Sequence, residues 1–203
     1  MATHTFVDVE MEEARYLADL NGIQIDLEIV IKFCNYFLNI YSIEKLDSTL
    51  QEILTIAILV KYSRSFLSGV RSKLSISDVP GLTEEELAEH GKFIALRNKY
   101  IAHSVNEYEE NKVVARYNDE KVYDEGITSI SIQHTRLISI SAYDVQAIIF
   151  LSRKILDYVN TKIKVEKDKI LSLVRNQPIN EVLEKGASSS KNPNIKNVNK
   201  RRK

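Results

Sequence analysis

Apolar residues recur at steps of three and four along much of the chain, the period of a helix with one face in a core. Leu27, Val30, Ile31, Cys34, Phe37, Leu38 and Tyr41 carry that period and predict a first helix over residues 23–41. Leu50, Ile53, Leu54, Ala57, Val60, Phe66 and Leu67 repeat it and predict a second over 46–70. Ser75, Ser77, Asp78, Pro80 and Gly81 read as a connection. Thr83 followed by Glu86 forms a capping box, with Glu84 and Glu85 suited to the positive end of a helix dipole. A third helix is expected from there to Ser104. The period then changes to two. Lys112–Tyr117, Ile127–His134 and Arg136–Ser141 alternate, with Asn118-Asp119-Glu120 and Asp124-Glu125-Gly126 as turns. A small antiparallel hairpin or meander is predicted over 111–141, and such a piece has to pack on the helices to be stable. Ser141 and Asp144 open a last long helix through Val145, Ile148, Ile149, Leu151, Ile155, Leu156, Val159 and Ile163. It continues or restarts through Leu171, Leu173 and Val174, and Pro178 argues for a stop near Asn176. A short helical turn at Glu181–Lys185 completes the pattern.

The expected fold is therefore mainly α, a bundle of four to five helices with a small inserted β-hairpin or meander. One domain is expected over residues 1–187. Residues 188–203 carry six basic groups and no acid, leaving 22 basic and 28 acidic groups in 1–187. That Ser-, Asn- and Lys-rich tail has no apolar period and is expected to be disordered. It reads as a solubilising terminus or as a nucleic-acid contact.

Several function classes are poorly supported. The longest apolar run, Ile53–Val60, is far short of the ~20 residues that span a bilayer, so no membrane partner is expected. The polar, acidic Met1–Glu13 offers no secretory leader, and a cytoplasmic location is expected. Cys34 is the single cysteine, so no internal disulfide is possible, and it reads as a small core residue. His4, His90, His103 and His134 have no Cys, Asp or Glu partners at metal spacing. Neither a glycine-rich phosphate loop nor a GxSxG turn is present. No cofactor or metal is expected.

The third helix carries the candidate chemistry. At about 100° per residue, with Phe93 at zero, the five apolar residues Phe93, Ile94, Leu96, Tyr100 and Ile101 span one arc. Arg97 falls inside it at about 40°, and His90 beside it at about 60°. A guanidinium buried without a partner would cost several kcal/mol, so Arg97 has a buried partner or faces a cleft or second subunit. Arginine offers a planar fork for phosphate oxygens, and histidine moves protons near neutral pH. Together they suffice for attack of an RNA 2′-hydroxyl on its adjacent phosphate, with His103 as acid or base and Arg97 stabilising phosphoryl charge. Asn98 is placed to orient the phosphate or the imidazole. On an ideal helix, however, Arg97 and His103 diverge by about 120° and ~9 Å in height, so the site calls for a second copy or a relaxed helix end. The plainer alternative pairs Arg97 with a buried carboxylate and leaves His103 merely ending the helix. Lys99, His90 and Arg64 are weaker candidates for substrate contact: Lys99 points away from the apolar arc, His90 also reads as a packed histidine, and Arg64 as a surface charge.

The segment Arg97-Asn98-Lys99-Tyr100-Ile101-Ala102-His103-Ser104 resembles the signature of the HEPN superfamily, an arginine, usually followed by a polar residue, with a histidine after four to six intervening positions. Val105-Asn106-Glu107-Tyr108-Glu109 and the upstream Tyr62–Arg71 are also similar to stand-alone prokaryotic members linked to abortive infection and toxin–antitoxin systems. The resemblance covers roughly residues 25–170, with 111–141 as an insertion. It implies a bundle that forms a homodimer with motif helices facing each other. It also implies a metal-independent endoribonuclease using Arg97, His103 and Asn98 on RNA, and an antitoxin or nucleotidyltransferase partner. Other members only bind a nucleotide or a partner protein, and those usually lack part of the motif. A purely structural dimerisation bundle, with Arg97 in an intersubunit ion pair, is the third alternative.

Overall fold

In the computed structural model the described residues are 7–41, 47–69, 71–101, 109–117, 126–136 and 139–186. The tail lies outside them. The chain forms α1 (Glu12–Tyr41), α2 (Ser48–Ser63), α3 (Glu84–Leu96), strands β1 (Glu109–Tyr117) and β2 (Ile127–Arg136), α4 (Ala142–Arg175) and α5 (Ile179–Gly186). The mainly helical bundle with an inserted hairpin is as the periodicity predicts.

α1 and α4 form the longest pairing, and α2 and α3 close over them. Leu20, Ile23, Leu27, Val30, Cys34 and Phe37 supply α1's share of the core, against Val145, Ile148, Leu151, Ile155 and Val159 of α4. α1 starts eleven residues before its predicted start, because Leu20 and Ile23 extend the apolar face through a stretch interrupted by Asn21 and Gly22. Cys34 is wholly buried, which pushes its thiol up to about 12. α2 buries Leu54, Ile58, Leu59 and Tyr62, whereas Ile53, expected inside, faces solvent with Ile56. It ends seven residues early. The Ser63 hydroxyl donates back to the Leu59 and Val60 carbonyls, a local bond that competes with helix continuation.

Both predicted capping boxes are present. Glu86 N donates to Thr83 Oγ1 at 3.2 Å and Thr83 N to Glu86 Oε2 at 2.7 Å. Asp144 N donates to Ser141 Oγ at 3.1 Å and Ser141 N to Asp144 Oδ2 at 3.0 Å. The same two acids join α3 to α4. Lys154 of α4 reaches Glu86 at 2.6 Å, and Lys92 of α3 pairs with Asp144. These clamps run antiparallel along the two helices and fix the axis that leads into the motif. Hydrogen bonds from Lys154 and the Thr83 backbone hold the Glu86 carboxyl below its ordinary value. α4 stops at Asn176, before Pro178, as expected.

The hairpin corrects two expectations. Of the third alternating run, Arg136 belongs to β2 and the described residues 139–141 form no strand: Ile140 turns into the core, its N–H donating to Thr55 Oγ1 at 3.3 Å. Nor does the hairpin bury its apolar side chains against helices, since Val113, Ile130 and Ile132 are 71%, 64% and 72% exposed. Among the described residues no helix is long and apolar enough to cross a membrane.

Candidate functional site

α3 delivers the motif from a rigid base. Phe93 is fully buried and Leu96 nearly so, on the face that packs under α2 and α4. From Arg97 the winding changes. Arg97–Ile101 is a π-helix, whose i→i+5 bonds widen the turn and are rare outside single-turn insertions, which cluster at functional sites. The widening starts at the motif arginine itself, whose N–H still donates back to the Phe93 and Ile94 carbonyls. The ideal-helix premise behind the 120° divergence therefore fails at its first residue, with π winding from Arg97 to Ile101.

Arg97 is partly buried and lies where the arc arithmetic put it, next to the buried Leu96 and Phe93. Its Nη1 donates to Asn98 Oδ1 at 3.0 Å. Its Nε is sealed from solvent and has no hydrogen-bond partner among the described residues. Among the described residues no carboxylate pairs with it, so the buried-carboxylate alternative finds no support there. A buried donor left unpaired costs on the order of 1–3 kcal/mol, more on a charged group. Asn98, the residue expected to orient a reactant, orients the guanidinium: its carbonyl accepts from one arm of the fork. Lys99 is exposed on the π turn. His103 lies outside the described residues, as do the side chains of Tyr100 and Ile101.

His90 is placed differently. Its Nδ1 shares a 2.9 Å hydrogen bond with the Tyr62 hydroxyl. Its ring meets Phe66 edge-on at 4.5 Å and Tyr62 at 5.8 Å. Only 8% of it is exposed, and burial pushes its pKa down to about 4, so it is neutral at pH 7. Burial likewise raises the Tyr62 hydroxyl pKa. This is a satisfied polar pair in an aromatic cluster, and it supports the packed reading of His90.

Arg64 follows α2 and is half exposed, 3.6 Å from Asp26 Oδ2. It is one of three cations on that buried carboxylate. Lys61 reaches Oδ1 at 3.0 Å, and Arg71 reaches Oδ2 at 3.1 Å while also donating to the Arg64 carbonyl. Asp19, two helical turns earlier on the same face, accepts the Ser72 N–H at 2.9 Å. These bonds tie the 64–74 segment to α1. Gly22 makes room for them, because a Cβ there would stand 2.9 Å from Arg71 Nη1. Sequence reasoning missed both acids. The available signal was two aspartates seven residues apart inside an otherwise apolar helical stripe.

Among the described residues no group of acids, histidines and cysteines could hold a metal. No protein-family model matches this chain, and no curated protein or solved structure matches it.

Proposed function

We propose that the protein is a HEPN-type endoribonuclease acting in the cytoplasm as a homodimer, in a toxin–antitoxin or abortive-infection setting. The observation that carries this reading is Arg97: a guanidinium set into the core-facing side of a helix, steered by Asn98, lacking a described carboxylate partner, at the first residue of a π turn. A fixed, positively charged fork with no described carboxylate partner fits a phosphate better than it fits a structural role. The HEPN resemblance supplies the second group, His103, six residues along.

In the proposed reaction the RNA 2′-oxygen attacks the adjacent phosphorus, and the bond from phosphorus to the 5′-oxygen breaks. His103 takes the 2′-hydroxyl proton or gives a proton to the leaving oxygen. Arg97 holds the phosphoryl oxygens as charge builds on them. The products end in a 2′,3′-cyclic phosphate and a 5′-hydroxyl. DNA resists because it lacks the nucleophile. Lys99 is a further phosphate contact in this scheme.

The test is cleavage of single-stranded RNA with chelator present, followed by analysis of the ends. The wild-type protein cuts RNA and spares DNA, and Arg97→Ala and His103→Ala fold but do not cut. Unchanged cleavage by either variant overturns the mechanism.

A further inference from the structure

The β-hairpin has one polar face and one apolar face. Antiparallel register sets Val113 opposite Ile132, Ala115 opposite Ile130 and, after a bulge between Arg116 and Tyr117, Tyr117 opposite Ile127. Alternation puts all six on the same side. Glu110, Lys112, Val114 and Arg116 occupy the other, mainly polar side, opposite Thr135, Gln133, Ser131 and Ser129, with Lys112 paired to Glu110 at 3.0 Å. Val113, Tyr117, Ile127, Ile130 and Ile132 are 71%, 57%, 67%, 64% and 72% exposed. A two-stranded hairpin on its own is marginal in water, and β-branched pairs stabilise a sheet when something covers them.

We infer that the apolar face of this hairpin is the docking surface for the same face of a second copy of the chain. Two arguments select that occupant. The first is chemical. No acid, lysine or arginine lies among the six positions. Two polar pairs continue the same side at one end, Asn111 with His134, whose Oδ1 and Nδ1 meet at 2.7 Å, and beyond them the register pair Glu109 and Arg136. The six apolar positions have nothing to offer a phosphate backbone, which is bound by Lys and Arg, but they are complementary to themselves. The second is area. The five large residues leave roughly 600 Å² open, at the upper end of the largest patch on a typical monomer. Two such faces packed together bury on the order of 1,200 Å², more than the ~1,000 Å² expected of a biological interface. Each hairpin thereby supplies the second layer that the other lacks, and the Ala115–Ile130 pair at the centre lets the ribbons approach closely. The inference does not depend on RNA cleavage.

Two measurements on the full chain test it. In a sedimentation dilution series, Ile132→Glu lowers the weight-average mass of the assembly, while the helical circular dichroism is unchanged. Oxidative cross-linking then reads the face directly. Cys34 is buried and silent, so Ala115→Cys gives a disulfide-linked pair, and Arg116→Cys, on the opposite face, does not. A wild-type protein that stays monomeric at about 100 µM, an Ile132→Glu variant of unchanged mass, or equal cross-linking at both positions overturns the inference.

Discussion

His90 and Arg97 stand seven residues apart on one face of one helix, and the molecule treats them in opposite ways. His90 is enclosed by Tyr62 and Phe66, has its hydrogen bond, and is held neutral. Arg97 cannot shed its charge, has one edge steered by Asn98, and keeps a sealed Nε without a partner among the described residues. A buried polar group that is satisfied makes a core specific. One that is left unsatisfied is a cost that folding alone does not explain. The change of winding from α to π falls between the two, at Arg97 itself. The helix is thus a scaffold as far as Leu96 and a candidate site beyond it.

The largest effect expected of this division is on catalysis. His103→Ala lowers the rate of RNA cleavage by about 10²–10⁴, the usual contribution of a positioned acid or base, with little change in melting temperature. A variant that still cuts at the wild-type rate would remove the site from this end of the helix. On the scaffold side, His90→Ala opens a cavity and leaves the Tyr62 hydroxyl unpaired. A loss of about 3 kcal/mol is expected, a fall of roughly 6–12 °C in Tm for a chain of this size. Cleavage per folded molecule stays near wild type, and a large loss there would make His90 part of the site after all.

Acid should expose the same contrast. The unfolded His90 takes up a proton near its ordinary pKa of 6.5, whereas the folded one holds out until about 4. Between those values the unfolded state binds more protons, so stability falls as pH falls, by up to roughly 3 kcal/mol. Thermal melts from pH 7 to pH 4 should show this slope, and His90→Gln should flatten it. An unchanged slope would assign the loss to other groups. The smallest effect is at Asn98. Asn98→Ala frees the guanidinium and lowers cleavage by about tenfold, the equivalent of one ordinary hydrogen bond to a charged group, and leaves Tm within about 2 °C.

What the sequence revealed, and what it hid, follows the range of the interactions. The Thr83–Glu86 and Ser141–Asp144 boxes were legible because a cap is made within four residues. So was Arg97's anomalous place, since Phe93 and Leu96 fix the arc around it. The early end of α2 was not, because it depends on one hydroxyl folding back onto its own helix at Ser63. The hold of Asp26 on Lys61 and Arg71 was hidden for another reason: those partners are 35 and 45 residues away. The π turn has no spacing signature at all. Alternation in the hairpin revealed strands and register but not whether their apolar side would be covered, which depends on what lies opposite.

The most direct measurement is on Arg97→Met, which removes the charge and keeps most of the apolar stem. Cleavage of a single-stranded RNA and the thermal melt are recorded on the same preparation. If Arg97 is kept for a phosphate, cleavage falls by about 10²–10³, while Tm holds or rises because an unpaired buried donor is gone. If Arg97 instead holds the fold together, Tm drops by about 6 °C or more and the folded fraction still cuts RNA. That result would contradict the account.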